Sequence, residues 1–280
     1  GVGKTTFAVN VALSLIKETR GRVLLLDLDA VGMGDCVSLV GLQEVRSMVD
    51  FAPYLAQLSP EAFGPYIAAH AAGLGVLPGA ATPEAGAKLA PQMVTQILDL
   101  VAPICDYVVV DAGAGVDPCN VLAMERAAGI LVVATPTPAG LAAAKKFSDR
   151  LQQLHFPQGL VKFVVNALPA DGPMTKEAVA ARLGRPPLVT LPKDDVLTLD
   201  ASIRAAPFVV ESPRAALSRH YDELVRQLVE KGVFVQLAAI ARGTGQAVEG
   251  RRTVEVTAEQ EKVLEGFLKA RGGSRSRAGQ

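Results

Sequence analysis

The alternation of short apolar runs with longer amphipathic stretches most constrains what this chain can fold into. Apolar runs stand at Val23 to Leu28, Leu74 to Leu77, Tyr107 to Val110, Ile130 to Ala134, Val161 to Val165 and Leu188 to Leu191. Each is short and largely free of polar residues, the pattern of strands buried on both faces. Helical patterns lie between them, at Thr5 to Thr19, Pro91 to Ala102, Asp117 to Ala128, Ala139 to Leu154, Met174 to Leu183 and Pro213 to Lys231. Strand and helix in turn require right-handed crossovers. The expected fold class is therefore α/β, a mostly parallel sheet flanked by helices.

Charge narrows the function classes. Lys plus Arg is 28 and Asp plus Glu is 28, so the formal net charge is zero, and 50% of the residues are hydrophobic. That excludes a disordered chain. It also argues against a nucleic-acid binder, which needs a basic excess to displace phosphate counterions. The most apolar stretch, around Gly129 to Ala144, is broken by Pro136, Pro138 and Gly140, so no transmembrane helix is expected. Cys36, Cys105 and Cys119 have no C-x-x-C spacing. This argues against a disulfide framework or a cysteine zinc site, and the thiols read as buried residues of a reducing compartment. His70, His155 and His220 are isolated from one another and from the cysteines.

The chemistry begins at the start of the chain. Gly1, Val2, Gly3, Lys4, Thr5 and Thr6 run directly into an amphipathic helix, as the second half of a phosphate-binding loop does. Glycines let backbone N–H groups approach phosphate unobstructed, and the helix N-terminus adds roughly half a positive charge. Lys4 would bridge the terminal phosphates, and the Thr5 hydroxyl would ligate Mg²⁺. Leu24 to Asp29 is a buried strand that ends in two acids, Asp27 and Asp29, which alternation puts on one face. At the carboxyl end of a parallel strand, one acid can touch the Mg²⁺ shell and the other can orient an attacking water. Tyr107 to Asp111 has the Walker B pattern, an apolar strand whose terminal carboxylate holds the metal. Asn166 and Pro192 end two later strand patterns at the same inferred edge, where turn chemistry alone also accounts for them.

These residues together resemble the MinD/ParA family of deviant Walker A P-loop ATPases, over about residues 1 to 231. The segment Gly1 to Thr6 looks like the end of the family's K-G-G-V-G-K-T-T motif. Asp29 matches the acid that orients the hydrolytic water, Asp111 the Walker B Asp, and Asn166 and Pro192 the positions that contact adenine. The resemblance implies ATP and Mg²⁺ as cofactors, slow hydrolysis, and a homodimer in the ATP state. Asp29 to Leu42, Gly75 to Gly79 and Thr135 to Pro138 look most like the CpaE/TadZ branch, which implies protein partners in a membrane-associated Flp/Tad pilus machine. A cytoplasmic protein is implied, peripheral at the inner face of the membrane or at a cell pole. The alternatives are a catalytically weak scaffold or polar landmark of the same fold, or a chromosome- or plasmid-partitioning or septum-site ATPase.

Two departures from the family pattern shape further expectations. Gly113 stands where the family often has Pro after the Walker B Asp. The motif's Lys and first Gly, and the strand before them, would precede Gly1, so the chain is expected to be N-terminally truncated and to lack its first strand. Five or six buried apolar side chains at roughly 1.5–3 kcal/mol each would go with that strand, and the fragment alone is expected to fold poorly. Residues 232–280 are expected to be an extension. Thr257, Ala258, Glu259 and Gln260 match a capping box that opens a short helix near 258–270, and a disordered tail follows. The helix would dock on the protein or, as the alternative, lie on a membrane surface.

Overall fold

The computed structural model describes residues 1–29, 35–172 and 174–230. The expected extension over 232–280, Lys231, and the part of the Asp29 to Leu42 stretch at 30–34 lie outside the described residues.

The strands are β1 (Val23–Asp27), β2 (Ala68–Ala69), β3 (Gly75–Pro78), β4 (Tyr107–Asp111), β5 (Ile130–Ala134), β6 (Val161–Leu168) and β7 (Val189–Pro192). Apart from the two-residue β2, each falls on an apolar run picked out by the sequence pattern. The helices are α1 (Lys4–Thr19), α2 (Asp35–Leu39), α3 (Pro60–Phe63), α4 (Pro83–Gly86), α5 (Pro91–Val101), α6 (Pro118–Glu125), α7 (Pro138–Gln153), α8 (Lys176–Leu183), α9 (Asp195–Ile203), α10 (Phe208–Glu211) and α11 (Ala216–Glu230). Side-chain caps set several starts. Asp117 accepts from the N–H groups of Cys119 and Asn120, Thr137 from Gly140, Thr175 from Ala178 and Asp194 from Leu197. The helix expected from Asp117 therefore begins one residue later, with Asp117 as its cap.

The strands hydrogen-bond in two groups, ordered β2-β3-β1-β4 and β5-β6-β7. Every pair is parallel except β2 with β3, which is antiparallel. This is the mostly parallel α/β arrangement that the crossovers require.

One core spans both groups. Phe7, Val11 and Leu15 of α1 and Leu224, Val225 and Leu228 of α11 pack with Val23 and Leu25 of β1 and with Val164 of β6 and Leu191 of β7. On the opposite side, α5 covers Leu24, Leu26 and Leu77, while α7 and α8 cover β5 and β6. Leu24, Leu25 and Leu26 are all at most 1% exposed. At about 1.5–3 kcal/mol for each fully buried side chain, this strand contributes heavily to stability.

Among the described residues most polar groups inside are paired, the Asn120 amide oxygen being the exception. The Asn10 amide donates to the Thr6 carbonyl at 2.8 Å, and its Oδ1 accepts from the Val209 N–H at 3.3 Å. The Ser14 hydroxyl and the Lys17 ammonium both reach the Asp222 carboxylate, at 2.8 and 2.6 Å. These contacts lock α1 to α10 and α11 and so fix where α1 begins. The helix α9 was not expected. Its apolar residues Val196, Leu199 and Ile203 face outward, 82%, 62% and 75% exposed, and only Leu197 and Ala201 turn to the core, too short a stripe to mark the helix in the sequence.

Candidate functional site

The helix α1 begins at Lys4 because Gly3 turns the chain there with φ +82°, and no side chain caps it. The first-turn N–H groups and the positive end of the helix are thus left for an anion. A Cβ on Gly3 would stand 2.6 Å from Asn166 Nδ2. The Asn166 amide donates to the Val2 carbonyl at 3.0 Å. Asn166 reaches the loop because the β6–β7 register slips between Val165 and Leu168, with Ala167 at φ +60°. Such a bulge re-aims a side chain. In this structure Asn166 therefore rests on the phosphate loop itself. Pro192 closes β7 opposite Leu168. Thr6, beyond its bond to Asn10, lines a small cavity with Leu39 and Phe208.

The acids converge at the same end of the sheet. The β1–β4 register sets Asp27 directly beside Asp111, and each is only 3% exposed. Burial first, and then the charge of Asp111, push the Asp27 carboxyl up to about 6, partly offset by the N–H groups of Asp29 and Cys36. Burial also raises Asp111, while the Thr5 hydroxyl and the Lys4 charge pull it back. Asp29 lies toward solvent, its N–H donating to Asp27 Oδ1 at 2.9 Å and its carboxylate 4.0 Å from Lys4 Nζ. A Cβ on Gly113 would come 3.3 Å from Asp29 Oδ1. A side chain at this place would press on Asp29, which would have to give by a few tenths of an ångström.

Two buried carboxylates side by side, each resisting ionisation, would be neutralised by a divalent cation. With the Thr5 hydroxyl beside Asp111 and an open helix N-terminus alongside, the residues fit a divalent metal and a phosphate chain. Lys4, Thr5, Asp27, Asp29 and Asp111 are brought together, and Asn166 joins them through Val2.

Sequence reasoning passed over Cys36 as one more buried thiol. All three cysteines are indeed buried, but Cys36 stands between the two acids. Its N–H donates to Asp27 Oδ2 at 3.3 Å, and its thiol to Asp111 Oδ2 at 3.6 Å. The nine-residue separation from Asp27 carries no motif that would signal this.

An open α/β sheet with a phosphate-binding loop and paired acids at its carboxyl edge defines a P-loop nucleotide-binding protein. A family model described as ParA, NUBPL iron-transfer P-loop NTPase, matches residues 1–229. The chain belongs to this ParA family of P-loop ATPases. Antiactivator FleN of Pseudomonas aeruginosa is 28% identical over 235 residues, which cover 82% of this chain and 74% of FleN. Septum site-determining protein MinD of Thermotoga maritima is 25% identical over 244 residues, 83% of this chain and 86% of that protein. Among solved structures, a ParA family ATPase from Chlorobium tepidum TLS matches with a TM-score of 0.76 at 21% identity, covering 81% of this chain and 95% of the other. MinD complexed with Mg-ADP from Pyrococcus horikoshii OT3 matches at 0.69 and 21%, covering 83% and 93%. These structures share the fold.

Proposed function

We propose that this chain is a Mg²⁺-dependent, slowly hydrolysing ATPase that works as a dimerisation switch and localises or assembles a membrane-associated machine such as a Flp/Tad-type pilus. The observation that carries the reading is the convergence of Lys4, Thr5, Asp27, Asp29 and Asp111 on the open N-terminus of α1.

In this reading the loop from Gly1 to Thr6 cradles the phosphates with its N–H groups, and Lys4 adds a point charge. Thr5, Asp27 and Asp111 hold Mg²⁺. When bound, the ion neutralises phosphate charge and stabilises the charge that develops during transfer. Asp29, held between Lys4 and Gly113, accepts a hydrogen bond from the attacking water. Asn166 and Pro192 would contact adenine. Because Asn166 now bonds Val2, adenine contact by Asn166 requires its amide to leave or share that bond. The exposed Val196, Leu199 and Ile203 of α9 supply an apolar face for the second copy, since the other side of α9, at Thr198 and Ala201, lines the cavity beside Thr6.

The likeness of Gly75 to Gly79 and of Thr135 to Pro138 to the CpaE/TadZ branch supports the pilus role. That role would place the protein in the cytoplasm or peripherally at the membrane. Among the described residues no helix is long and apolar enough to cross a membrane. The similarity to FleN and MinD supports the second reading, a positioning ATPase of septum-site or partitioning type. The description of the family model mentions iron transfer, but the cysteines here lack the C-x-x-C spacing of an iron–sulfur carrier.

Fluorescent-nucleotide titration of Lys4→Ala tests the site. ATP binding should vanish, and unchanged affinity would overturn the assignment. Asp29→Ala separates timer from scaffold, because a scaffold keeps its cellular function in that variant. Loss of pili on deletion of the gene supports the first role, whereas intact pili with misplaced septa or flagella support the second.

A further inference from the structure

The three side chains Asp27, Cys36 and Asp111 are buried together, and one ligand atom from each lies within 4.8 Å of the others. Among the described residues they are the one group of acidic, thiol or imidazole side chains close enough to share a metal. Cys36 is wholly inaccessible. A thiol that merely filled space would be expected to face aliphatic carbon, yet this one points at Asp111 Oδ2 from 3.6 Å. A tetrahedral ion with sulfur at about 2.3 Å and oxygen at about 2.0–2.2 Å holds the two ligand atoms about 3.5 Å apart. The observed separation is already that of two ligands on one such ion.

The ligand set also selects the ion. Magnesium is hard, takes oxygen, and gains nothing from sulfur. Zinc and cadmium bind thiolate strongly and accept carboxylate oxygen as well. Three protein ligands leave a fourth position for water or a phosphate oxygen. On binding, the thiol proton leaves to solvent, and one thiolate with two carboxylates faces the divalent charge, with Lys4 nearby.

We infer that Asp27, Cys36 and Asp111 form a binding site for a thiophilic divalent cation of the zinc type, overlapping the site assigned to magnesium, so that zinc competes with Mg²⁺. This deepens the proposed function by naming a second ion for the same carboxylates, but occupancy by zinc needs no nucleotide.

The experiment uses the full chain without nucleotide. Cadmium alone is added, and thiolate-to-metal charge-transfer absorption is followed in the ultraviolet. Zinc is then measured by equilibrium dialysis in excess Mg²⁺. The chain should bind one cadmium with the band, and one zinc that excess Mg²⁺ displaces only partly. Cys36→Ser and Cys36→Ala should lose the band and weaken zinc by at least about tenfold, the range that even the partners of metal ligands carry. Cys105→Ser and Cys119→Ser should keep both. The inference is overturned if the parent chain shows no band, or if the band survives in Cys36→Ser. The parent measurement decides the question even if a Cys36 variant fails to fold. Zinc binding that persists while Lys4→Ala leaves ATP affinity unchanged would uphold this site and overturn the nucleotide reading alone. ATP binding without any zinc band would do the reverse.

Discussion

Asp27 and Asp111 end adjoining parallel strands in direct register, and the structure buries both to 3% exposure. Burial first, and the neighbouring Asp111 charge second, make the metal-free protein sensitive to pH through Asp27. The folded Asp27 carboxyl sits at about 6 against an ordinary 3.8. Between those values the folded state binds more protons than the unfolded one, so stability falls as pH rises through the window. A shift of this size corresponds to about 2–3 kcal/mol. Chemical denaturation of parent and Asp27→Asn at pH 4 and 6.5 should show their difference in unfolding free energy moving by about that amount. Saturating Mg²⁺ should flatten the parent's profile. A constant difference across the window would show that Asp27 ionises normally.

Asp222 ties α11 to α1 by accepting from both Ser14 and Lys17. Asp222→Ala leaves the buried Ser14 hydroxyl without its acceptor, while the Lys17 ammonium keeps the Val209 carbonyl at 3.3 Å, and should lower unfolding free energy by about 1–3 kcal/mol. A double-mutant cycle with Lys17→Met should give a coupling of at least about 0.5 kcal/mol. Strictly additive effects would mean that the ion pair contributes nothing.

Gly3→Ala should damage the loop twice. It forces a side chain into φ +82° and sets a methyl 2.6 Å from the Asn166 amide. The backbone strain alone is about 1–2 kcal/mol, and ATP affinity should fall with it. Adding Asn166→Ala removes the collision but not the strain, so affinity should recover only in part. Full recovery in the double variant would locate the whole effect in the collision.

Sedimentation velocity addresses the α9 face. With ATP and Mg²⁺ the parent should sediment as a dimer. Leu199→Asp or Ile203→Asp should move it toward monomer, with circular dichroism unchanged. A dimer that withstands both substitutions would put the interface elsewhere.

The strands were legible because Val23 to Asp27 or Tyr107 to Asp111 must be buried on both faces wherever they sit in a parallel sheet. The loop from Gly1 to Thr6 was legible because phosphate binding demands its glycines and its helix start. That Asp27 and Asp111 would serve one metal was expected from their places at strand ends, but their direct register was not, since register between strands about eighty residues apart is a tertiary fact. Nor was the Asn166–Val2 bond, which depends on a bulge at Ala167, a residue with no turn preference of its own. Cys36 escaped because composition sees a buried thiol and cannot see what it faces. The helix α9 escaped because periodicity finds faces turned to a core, and its apolar face turns away.

Among the described residues β4 and β5 do not pair, and the core that contains α1, α11, β1, β6 and β7 spans the two strand groups. The phosphate loop rides on α1, which touches both groups, while the Asn166 amide on Val2 belongs to the second group alone. That one hydrogen bond therefore gives the loop a second anchor, on β6 as well as through α1, and a substitution at Asn166 would free the Val2 carbonyl without touching α1.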